Sequence, residues 1–475
     1  MKEFFQKNKL IVTAAALAVV LVGLIVGLVF SLIDHDAPDT SDPSSASSDT
    51  SEPTIGPTAP DPSSDASDTQ TEPTDTKGGQ TSMTTGSKNS DVSKDTKPVS
   101  TPTTSKTAGQ TETPSGLKEY LKYNVDTWLS PVWKGSVVYN ESIMFFPNAK
   151  TKEIESAPLL YKPDKVIAVW DSELGEKYEE GRDYTVENGR IKLTANTRIA
   201  TWNYDQYYLP QPASVPIASA SASGRYVNYA SGDQFAVMQL AVTYTHSDKW
   251  TGKTPTYAGS RLPTTIGKLK NKQQVSIVYY GDSIMTGCEA SSTHNLSPMM
   301  PIYPDMVTEK LKKAYGYTNI KTVNTAVGGK ETNWGLAEVH ERVSKYSPDL
   351  VLIAFGMNDS GVPISVEQYE QNIRAMIKDV RATNPKAEFL LISTTLPNPD
   401  CAGWTNLQPK YKTALENIVA DTSGTALVPM TEIHQYLLTK KRYDDMNGNG
   451  VNHPNDFLAR IYGQAVCQTL IEGLQ

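Results

Sequence analysis

Short apolar runs alternate with amphipathic stretches along residues 266–475. The runs are apolar on both faces of an extended chain, which is typical of a parallel sheet covered by helices on both sides. The predicted strands cover residues 275–280, 320–326, 350–355, 389–394 and 425–428. The predicted helices cover residues 303–315, 334–346, 365–383, 409–421 and 455–474. The pattern therefore predicts a three-layer α/β domain with a central parallel sheet.

Residues 116–265 show a different pattern, in which Gly and Pro interrupt short stretches rich in Val, Ile, Tyr and Phe. The strand-like stretches cover residues 136–146, 165–170, 190–194 and 235–245. Asn188-Gly189 is typical of a type I′ turn in a β-hairpin. Because no long helical period appears, the pattern predicts a β-sandwich-like domain ahead of the α/β domain.

An uncharged run of 24 residues, 10–33, precedes both regions. At ~1.5 Å per residue it is long enough to cross a bilayer as a helix. Lys2, Lys7 and Lys9 lie before it, and the positive-inside rule places them in the cytoplasm. The run exceeds the ~7–15 apolar residues of a signal peptide, so we favour an uncleaved transmembrane anchor. We expect a single-pass protein of the cell membrane, with residues 1–33 as cytoplasmic stub and anchor and the C-terminal domains extracellular.

Residues 34–115 contain no Phe, Trp or Tyr and are rich in Ser, Thr, Pro and Asp. Their 14 acidic residues and 5 lysines give a net charge of −9. Such a segment cannot bury a core, so we expect a disordered linker. The rest of the chain carries +2 over residues 1–33 and −1 over residues 116–475. This near-neutral folded part gives no support for nucleic-acid binding, which requires a basic surface.

Candidate catalytic residues follow the predicted strands of the α/β domain. In open α/β sheets, sites form beyond the carboxyl ends of the strands. Ser283, Gly329 and Asn358 follow the first three strands, and His453 precedes the last helix. A serine activated by a histidine base attacks acyl carbons. The main-chain N–H groups of Ser283 and Gly329 and the amide of Asn358 are candidate donors for the oxyanion hole. The pattern predicts acyl-transfer chemistry.

These residues lie in four short blocks that follow one another along the chain. The blocks are Gly281-Asp282-Ser283, Asn324 to Gly329, Gly356-Met357-Asn358-Asp359 and His453-Pro454. In this order they resemble the SGNH (GDSL-type) hydrolases over about residues 270–475. The resemblance implies esterase or acylhydrolase activity, with Ser283 as nucleophile, His453 as base and no cofactor. The β-rich region ahead of this domain is similar to the jelly roll that precedes the SGNH domain in two-domain carbohydrate esterases.

One position departs from the family pattern. The family usually has Asp three residues before the catalytic His, and this chain has Gly450 there. Either another group orients His453, or the chain uses a Ser-His dyad, or the enzyme is weak or inactive. The positions that could orient His453 are Gly450, through its main chain, and Asp444, Asp445 and Asp456, through their side chains. We expect a dyad in which a main-chain carbonyl holds the imidazole, as the similar two-domain esterases imply.

Two further features have a functional and a structural interpretation. Trp334 lies five residues after Gly329 and is a candidate for stacking on a sugar ring, or else a Trp packed at the start of a helix. The stretch from Asp445 to Asp456 matches the spacing of a calcium-binding loop. Because the same residues are explained as the loop that carries His453, we expect no metal.

The sequence thus predicts a membrane-anchored extracellular serine esterase that removes acyl groups, above all acetyl groups, from carbohydrate or cell-wall glycan. One alternative is a lipase-like acylhydrolase or an acyltransferase. A second alternative is a non-catalytic surface protein that binds glycan, which Gly450 keeps open. The expected partners are an acylated carbohydrate or other ester and the membrane. Substrate and location rest on the resemblance and on the predicted anchor.

Overall fold

The computed structural model describes residues 120–212 and 223–474. The predicted anchor at 10–33 and the predicted linker at 34–115 lie outside these ranges. Within these ranges, no helix is both long enough and apolar enough to cross a bilayer.

The first part of the described chain consists of antiparallel strands and short helices. The strands are β1 (Val137–Met144), β2 (Ala157–Pro158), β3 (Lys165–Asp171), β4 (Lys177–Tyr178), β5 (Tyr184–Glu187), β6 (Arg190–Leu193), β7 (Tyr208–Leu209), β8 (Tyr226–Val227) and β9 (Gln239–Thr245). They pair antiparallel in the orders β1-β9-β3-β4, β2-β6-β5 and β7-β8. The helices are α1 (Val125–Trp128), α2 (Tyr204–Tyr207) and α3 (Asp233–Ala236).

The predicted hairpin at Asn188-Gly189 is confirmed. It joins β5 to β6, which pair antiparallel. Asn188 has φ 52° and Gly189 has φ 77°. Both values lie in the left-handed region that a type I′ turn requires at its two central positions. Asn and Gly tolerate this region better than other residues, which explains why the turn was visible in the sequence.

The second part alternates strands and helices. The strands are β10 (Val275–Gly281), β11 (Ile320–Asn324), β12 (Leu350–Ala354), β13 (Glu388–Ile392) and β14 (Thr425–Val428). The helices are α4 (Pro263–Lys270), α5 (Ser283–Thr286), α6 (Tyr303–Tyr315), α7 (Thr332–Arg342), α8 (Met357–Gly361), α9 (Val366–Thr383), α10 (Gln408–Asp421), α11 (Met430–Leu438) and α12 (Asp456–Leu470). All five strands pair in parallel, in the order β11-β10-β12-β13-β14.

The predicted central sheet with helices on both faces is confirmed. Successive residues of β10 point to opposite faces of the sheet and enter different hydrophobic clusters. Ile277 and Tyr279 belong to one cluster, and Val278 and Tyr280 belong to the other. Helix α9 begins one residue after its predicted start, because Ser365 caps it and its hydroxyl accepts a hydrogen bond from the Gln368 N–H at 3.1 Å.

The β-rich and α/β parts share one of these clusters. It contains Val138 and Tyr244 of the antiparallel sheet together with Tyr279 of the parallel sheet. The predicted domain boundary at residue 265 falls inside α4. Strand β1 is also joined to the α/β part by a fully buried ion pair, in which Lys441 Nζ lies 2.5 Å from Glu141 Oε1. Burying such a pair costs desolvation energy, and removal of one partner would leave an uncompensated buried charge.

Candidate active site

The end of β10 places Ser283 at the carboxyl edge of the parallel sheet. Gly281 ends the strand, and a side chain there would collide with the carbonyl oxygen of Ala354 on β12. Asp282 then caps α5, because its Oδ1 accepts a hydrogen bond from the Ile284 N–H at 3.0 Å. Ser283 is the first residue of α5, so its N–H has no partner within the helix. The end of β10 and the start of α5 thus place both the hydroxyl and the main-chain N–H of Ser283 at this edge of the sheet.

His453 is carried by a loop that is held by its own side chains. Asn449 Oδ1 accepts from the N–H groups of Val451, Asn452 and His453, at 2.9, 2.9 and 3.1 Å. The Gly448 N–H donates to the His453 carbonyl at 2.8 Å. The imidazole Nε2 then lies 2.9 Å from Ser283 Oγ. The structure therefore brings together a nucleophile and a base that the sequence separates by 170 positions.

The group that orients His453 is the carboxylate of Glu289. Its Oε1 lies 3.2 Å from His453 Nδ1, on the opposite side of the ring from Ser283. The Glu289 side chain is only 2% exposed. A carboxylate at this distance fixes the ring and stabilises the imidazolium that forms when Nε2 takes a proton. The expected main-chain carbonyl orienter is therefore wrong, because a side-chain carboxylate occupies its place.

The four positions that the sequence offered for this role have other partners. Asp445 pairs with Arg442 and accepts from the Met144 N–H at 3.0 Å. Asp456 accepts from the Ser291 N–H at 2.9 Å, and Asp444 accepts from the Tyr207 hydroxyl. The Gly450 carbonyl accepts from Asn398 Nδ2 at 2.8 Å. These groups hold the loop and its surroundings and leave the imidazole to Glu289.

Glu289 was missed because the family pattern directs attention to the residues just before His453. The signal in the sequence that could have identified Glu289 is its position as a single acidic residue six positions after Ser283. The stretch around it, from Gly287 to Ala290, is otherwise apolar and small. Helix α5 lasts only one turn and ends at Gly287, whose φ of 71° reverses the chain. This reversal returns Glu289 to the edge of the sheet from which α5 began.

The presence of glycine at position 450 also has a physical reason. Its φ is 84°, and a Cβ there would collide with the carbonyl oxygen of Asn228 and lie 2.9 Å from Phe235. Asn228 and Phe235 belong to the β-rich part, between β8 and the end of α3. An Asp at position 450 has no room in this structure, because the main chain of the β-rich part packs against the loop.

The remaining predicted donors lie on two segments that hydrogen bonds connect to each other and to the end of β10. The Val327 N–H donates to the Gly281 carbonyl at 3.0 Å, which ties the turn containing Gly329 to the end of β10. Gly329 has φ 74°, a value that favours glycine. Asn358 lies on α8, and its Nδ2 donates to the Lys330 carbonyl at 3.0 Å. The amide keeps a second N–H, so the N–H groups of Ser283 and Gly329 and the Asn358 amide are the candidate oxyanion donors.

Two buried carboxyl groups lie beneath these donors. Burial raises the pKa of Asp282 to about 7, and the neighbouring charge of Asp359 adds to the shift. Burial also raises the pKa of Asp359 to about 6, against the opposing hydrogen bonds from Thr332. Asp359 Oδ1 accepts from the Thr332 N–H at 3.0 Å and so anchors the start of α7. Both carboxyl groups position the main chain around the site.

Trp334 lies on α7 with its ring packed among other side chains. Its centroid is 4.9 Å from the Arg342 guanidinium carbon, 5.6 Å from Lys330 Nζ and 6.2 Å from the Tyr280 ring. These contacts correspond to the structural interpretation, a Trp packed at the start of a helix. Its contact with substrate stays a prediction.

Two asparagines in the loop from Asp445 to Asp456 use their side-chain oxygen atoms for hydrogen bonds within the loop. Asn447 Oδ1 accepts from the Asn449 N–H at 2.9 Å and Asn449 Oδ1 accepts from three further N–H groups. Across residues 120–212 and 223–474, His, Cys, Asp and Glu side chains form no group of three or more that could hold a metal ion. These bonds make the loop a support for His453.

The α/β part of the chain is similar in sequence to known hydrolases. Residues 279–461 match the GDSL-like lipase/acylhydrolase family. The Thioesterase 1/protease 1/lysophospholipase L1 of Escherichia coli (strain K12) is 26% identical over 183 residues, which are 38% of this chain and 76% of that protein. The Esterase TesA of Pseudomonas aeruginosa is 32% identical over 117 residues, which are 24% of this chain and 53% of that protein.

Among solved structures, the acetylxylan esterase Axe2 of Geobacillus stearothermophilus is 18% identical and has a TM-score of 0.34, covering 42% of this chain and 97% of that one. The family match spans all the blocks that carry Ser283, Gly329, Asn358 and His453. Residues 279–461 therefore carry a GDSL-like lipase/acylhydrolase domain of the SGNH hydrolase type, and the protein is a carboxylic ester hydrolase.

Proposed function

We propose that this chain is a serine esterase that works through a Ser283-His453-Glu289 triad and removes small acyl groups, acetyl above all, from carbohydrate outside the cell membrane. One observation carries the catalytic part of the proposal. His453 lies between a hydroxyl and a carboxylate, with Nε2 2.9 Å from Ser283 Oγ and Nδ1 3.2 Å from Glu289 Oε1.

The reaction follows from these positions. Ser283 Oγ attacks the ester carbonyl carbon while His453 Nε2 takes the hydroxyl proton. The carbonyl oxygen becomes an oxyanion, which the N–H groups of Ser283 and Gly329 and the Asn358 amide stabilise. The tetrahedral intermediate expels the alcohol, which takes the proton from His453, and an acyl-serine remains. Water then attacks the acyl-serine while His453 takes a proton from it, and His453 returns that proton to Ser283 Oγ as the carboxylic acid leaves.

Glu289 acts on the imidazole in both halves of this cycle. With Nδ1 protonated, the ring donates to Oε1 and keeps Nε2 directed at Ser283. The carboxylate also stabilises the positive charge of the ring while the proton is held. Because Glu289 is almost fully buried, water screens this attraction little.

The substrate part of the proposal has separate support. The β-rich part ahead of the hydrolase part resembles the arrangement of two-domain carbohydrate esterases. The uncharged run at 10–33 and the acidic linker at 34–115 favour a tethered enzyme outside the membrane, where polymeric glycans are accessible. The name of the Escherichia coli relative favours a second candidate, the hydrolysis of thioesters or lysophospholipids.

The catalytic part is tested with the full chain and 4-nitrophenyl acetate. We expect Ser283→Ala to lower kcat by at least about 10³-fold, because the nucleophile is lost. Ser423→Ala is the matched control, since this exposed serine precedes β14 at the amino edge of the sheet. Equal rates for the wild type and Ser283→Ala would overturn the proposal.

The substrate part is tested by paired assays. Acetate release from acetylated xylan is compared with hydrolysis of a lysophospholipid and of a long-chain acyl thioester. The proposal expects acetate release with the higher kcat/KM. A preference for the long-chain substrates would replace it by the second candidate.

The location is tested by fractionation. The full chain should remain in membranes after alkaline extraction, and deletion of residues 10–33 should release it. Release of the full chain by the same extraction would refute the anchor.

A further inference from the structure

Three groups besides His453 contact the Glu289 carboxylate. Its Oε1 also accepts from the Ser231 hydroxyl at 2.8 Å. Its Oε2 lies 3.0 Å from His294 Nε2 and accepts from the Gly232 N–H at 3.2 Å. Both carboxylate oxygens are thus engaged, and the contact to His453 is only one of four. A buried carboxylate needs such donors, because an unpaired charge there is costly.

The additional groups come from two parts of the fold. His294 ends a short 3-10 turn, Ser291–His294, directly after the segment that carries Glu289. Ser231 and Gly232 belong to the β-rich part, between β8 and α3. Gly232 has φ 98°, and a Cβ there would lie 3.7 Å from His294 Nδ1, so the two groups are close neighbours.

The same stretch of the β-rich part supports the loop of His453. We call residues 228–232 the bracing segment. The Ala230 N–H donates to the Asn449 carbonyl at 3.3 Å, and the carbonyl of Asn228 faces Gly450. Asn449 is the residue whose side chain holds the N–H of His453. The bracing segment therefore contacts both the acid of the triad and the support of its base.

We propose that Ser231, Gly232 and His294 are positioning residues for Glu289, so that the β-rich part of the chain is a working component of the catalytic centre. This inference rests on the proposed Ser283-His453-Glu289 triad and adds a role for the β-rich part. The reason is geometric. Without the Ser231 and His294 donors, the Glu289 carboxylate can rotate away from Nδ1, and the imidazole loses its fixed orientation.

The primary test is the kcat of the full chain with 4-nitrophenyl acetate after Ser231→Ala or His294→Ala. We expect each change to lower kcat about three- to tenfold and to leave KM nearly unchanged, since neither residue contacts the ester. Ser172→Ala is the matched control, because its hydroxyl donates to the Ala236 carbonyl in the same part of the chain. It should keep the wild-type kcat.

The second test distinguishes positioning from stability. Each change is repeated in a Glu289→Ala background, where we expect no further loss of kcat because the carboxylate to be positioned is gone. Ser231→Thr keeps the hydroxyl at an exposed position and should restore kcat, and His294→Gln should recover part of it by its side-chain N–H.

Three results would overturn the inference. The first is that both variants have a kcat like that of Ser172→Ala. The second is a loss of kcat in the Glu289→Ala background as large as in the wild-type background, and the third is no recovery with Ser231→Thr. If Ser283→Ala and Glu289→Ala lose activity while the Ser231 and His294 variants do not, only the positioning role fails. If Ser283→Ala retains activity, the triad itself fails, and the inference fails with it.

Discussion

Glu289 Oε1 and His453 Nδ1 lie 3.2 Å apart, although the two residues are 164 positions apart in the chain. The family pattern expects an acid three residues before His453, and Gly450 occupies that position. The acid that contacts His453 lies instead in the segment that follows Ser283. The packing of the β-rich part against Gly450 leaves no space for a side chain at that position.

The first prediction concerns the acid of the triad. Glu289→Ala should lower kcat by about 10³–10⁴-fold, since the imidazole loses both its orientation and the stabilisation of its charge. The measurement is kcat and KM with 4-nitrophenyl acetate. Asp456→Asn is the control, because it keeps an acceptor for the Ser291 N–H and should retain activity within a few-fold. A Glu289→Ala rate close to the wild type would contradict the triad.

The second prediction concerns the oxyanion. Asn358→Ala should lower kcat by about 10²–10³-fold with a smaller change in KM, because the amide acts on charge that develops in the transition state. Asn384→Ala provides the comparison, since its Nδ2 donates to the Pro348 carbonyl beyond the end of α9. If the two variants had equal kcat, Asn358 would not be an oxyanion donor.

The third prediction concerns Gly450. Gly450→Ala should destabilise the fold by more than Gly135→Ala, as measured by urea unfolding. Both glycines have positive φ, 84° and 78°, but only Gly450 has neighbours that a Cβ would meet. Gly135→Ala therefore reports the backbone strain alone, about 1–3 kcal/mol. Gly450→Asp should likewise destabilise the protein and should not rescue Glu289→Ala. A rescue would show that the family's usual position is still usable.

The fourth prediction concerns pH and Asp282. The pKa of this carboxyl is about 7 in the fold and roughly 3.9 in an unfolded chain, so the folded state binds more protons between these values. Stability from this group is therefore lost as the pH rises from about 4 to 7. Asp282→Asn removes the effect, and its stability relative to the wild type should increase over this range. Unfolding curves from pH 4 to 8 measure the difference, and a constant difference would contradict the prediction.

Local patterns were sufficient for most of the α/β part. The strands of the parallel sheet begin within one residue of their predicted positions, because a run that is apolar on both faces is recognisable without knowledge of its partners. Helix α9 and the Asn188-Gly189 turn were visible for the same reason, since a capping hydroxyl and a positive φ are local requirements. The helices α4, α5, α8 and α11 were not predicted.

The sequence by itself also determined the nucleophile-and-base pairing as a hypothesis. Ser283 follows a recognisable strand and His453 precedes a recognisable helix. Parallel strands bring their carboxyl ends to one edge of the sheet. Their order and spacing were enough to infer acyl-transfer chemistry.

Only the tertiary structure decided which acid serves His453 and what the β-rich part contributes. Both depend on the path of the chain after α5 and on how residues 228–232 pack against two distant loops. Such contacts join residues far apart in sequence, and a single acid such as Glu289 has no periodicity or motif that reveals its partner. Hydrophobic pattern is a local property of the chain, whereas the orientation of a buried carboxylate depends on every donor that the folded chain brings to it.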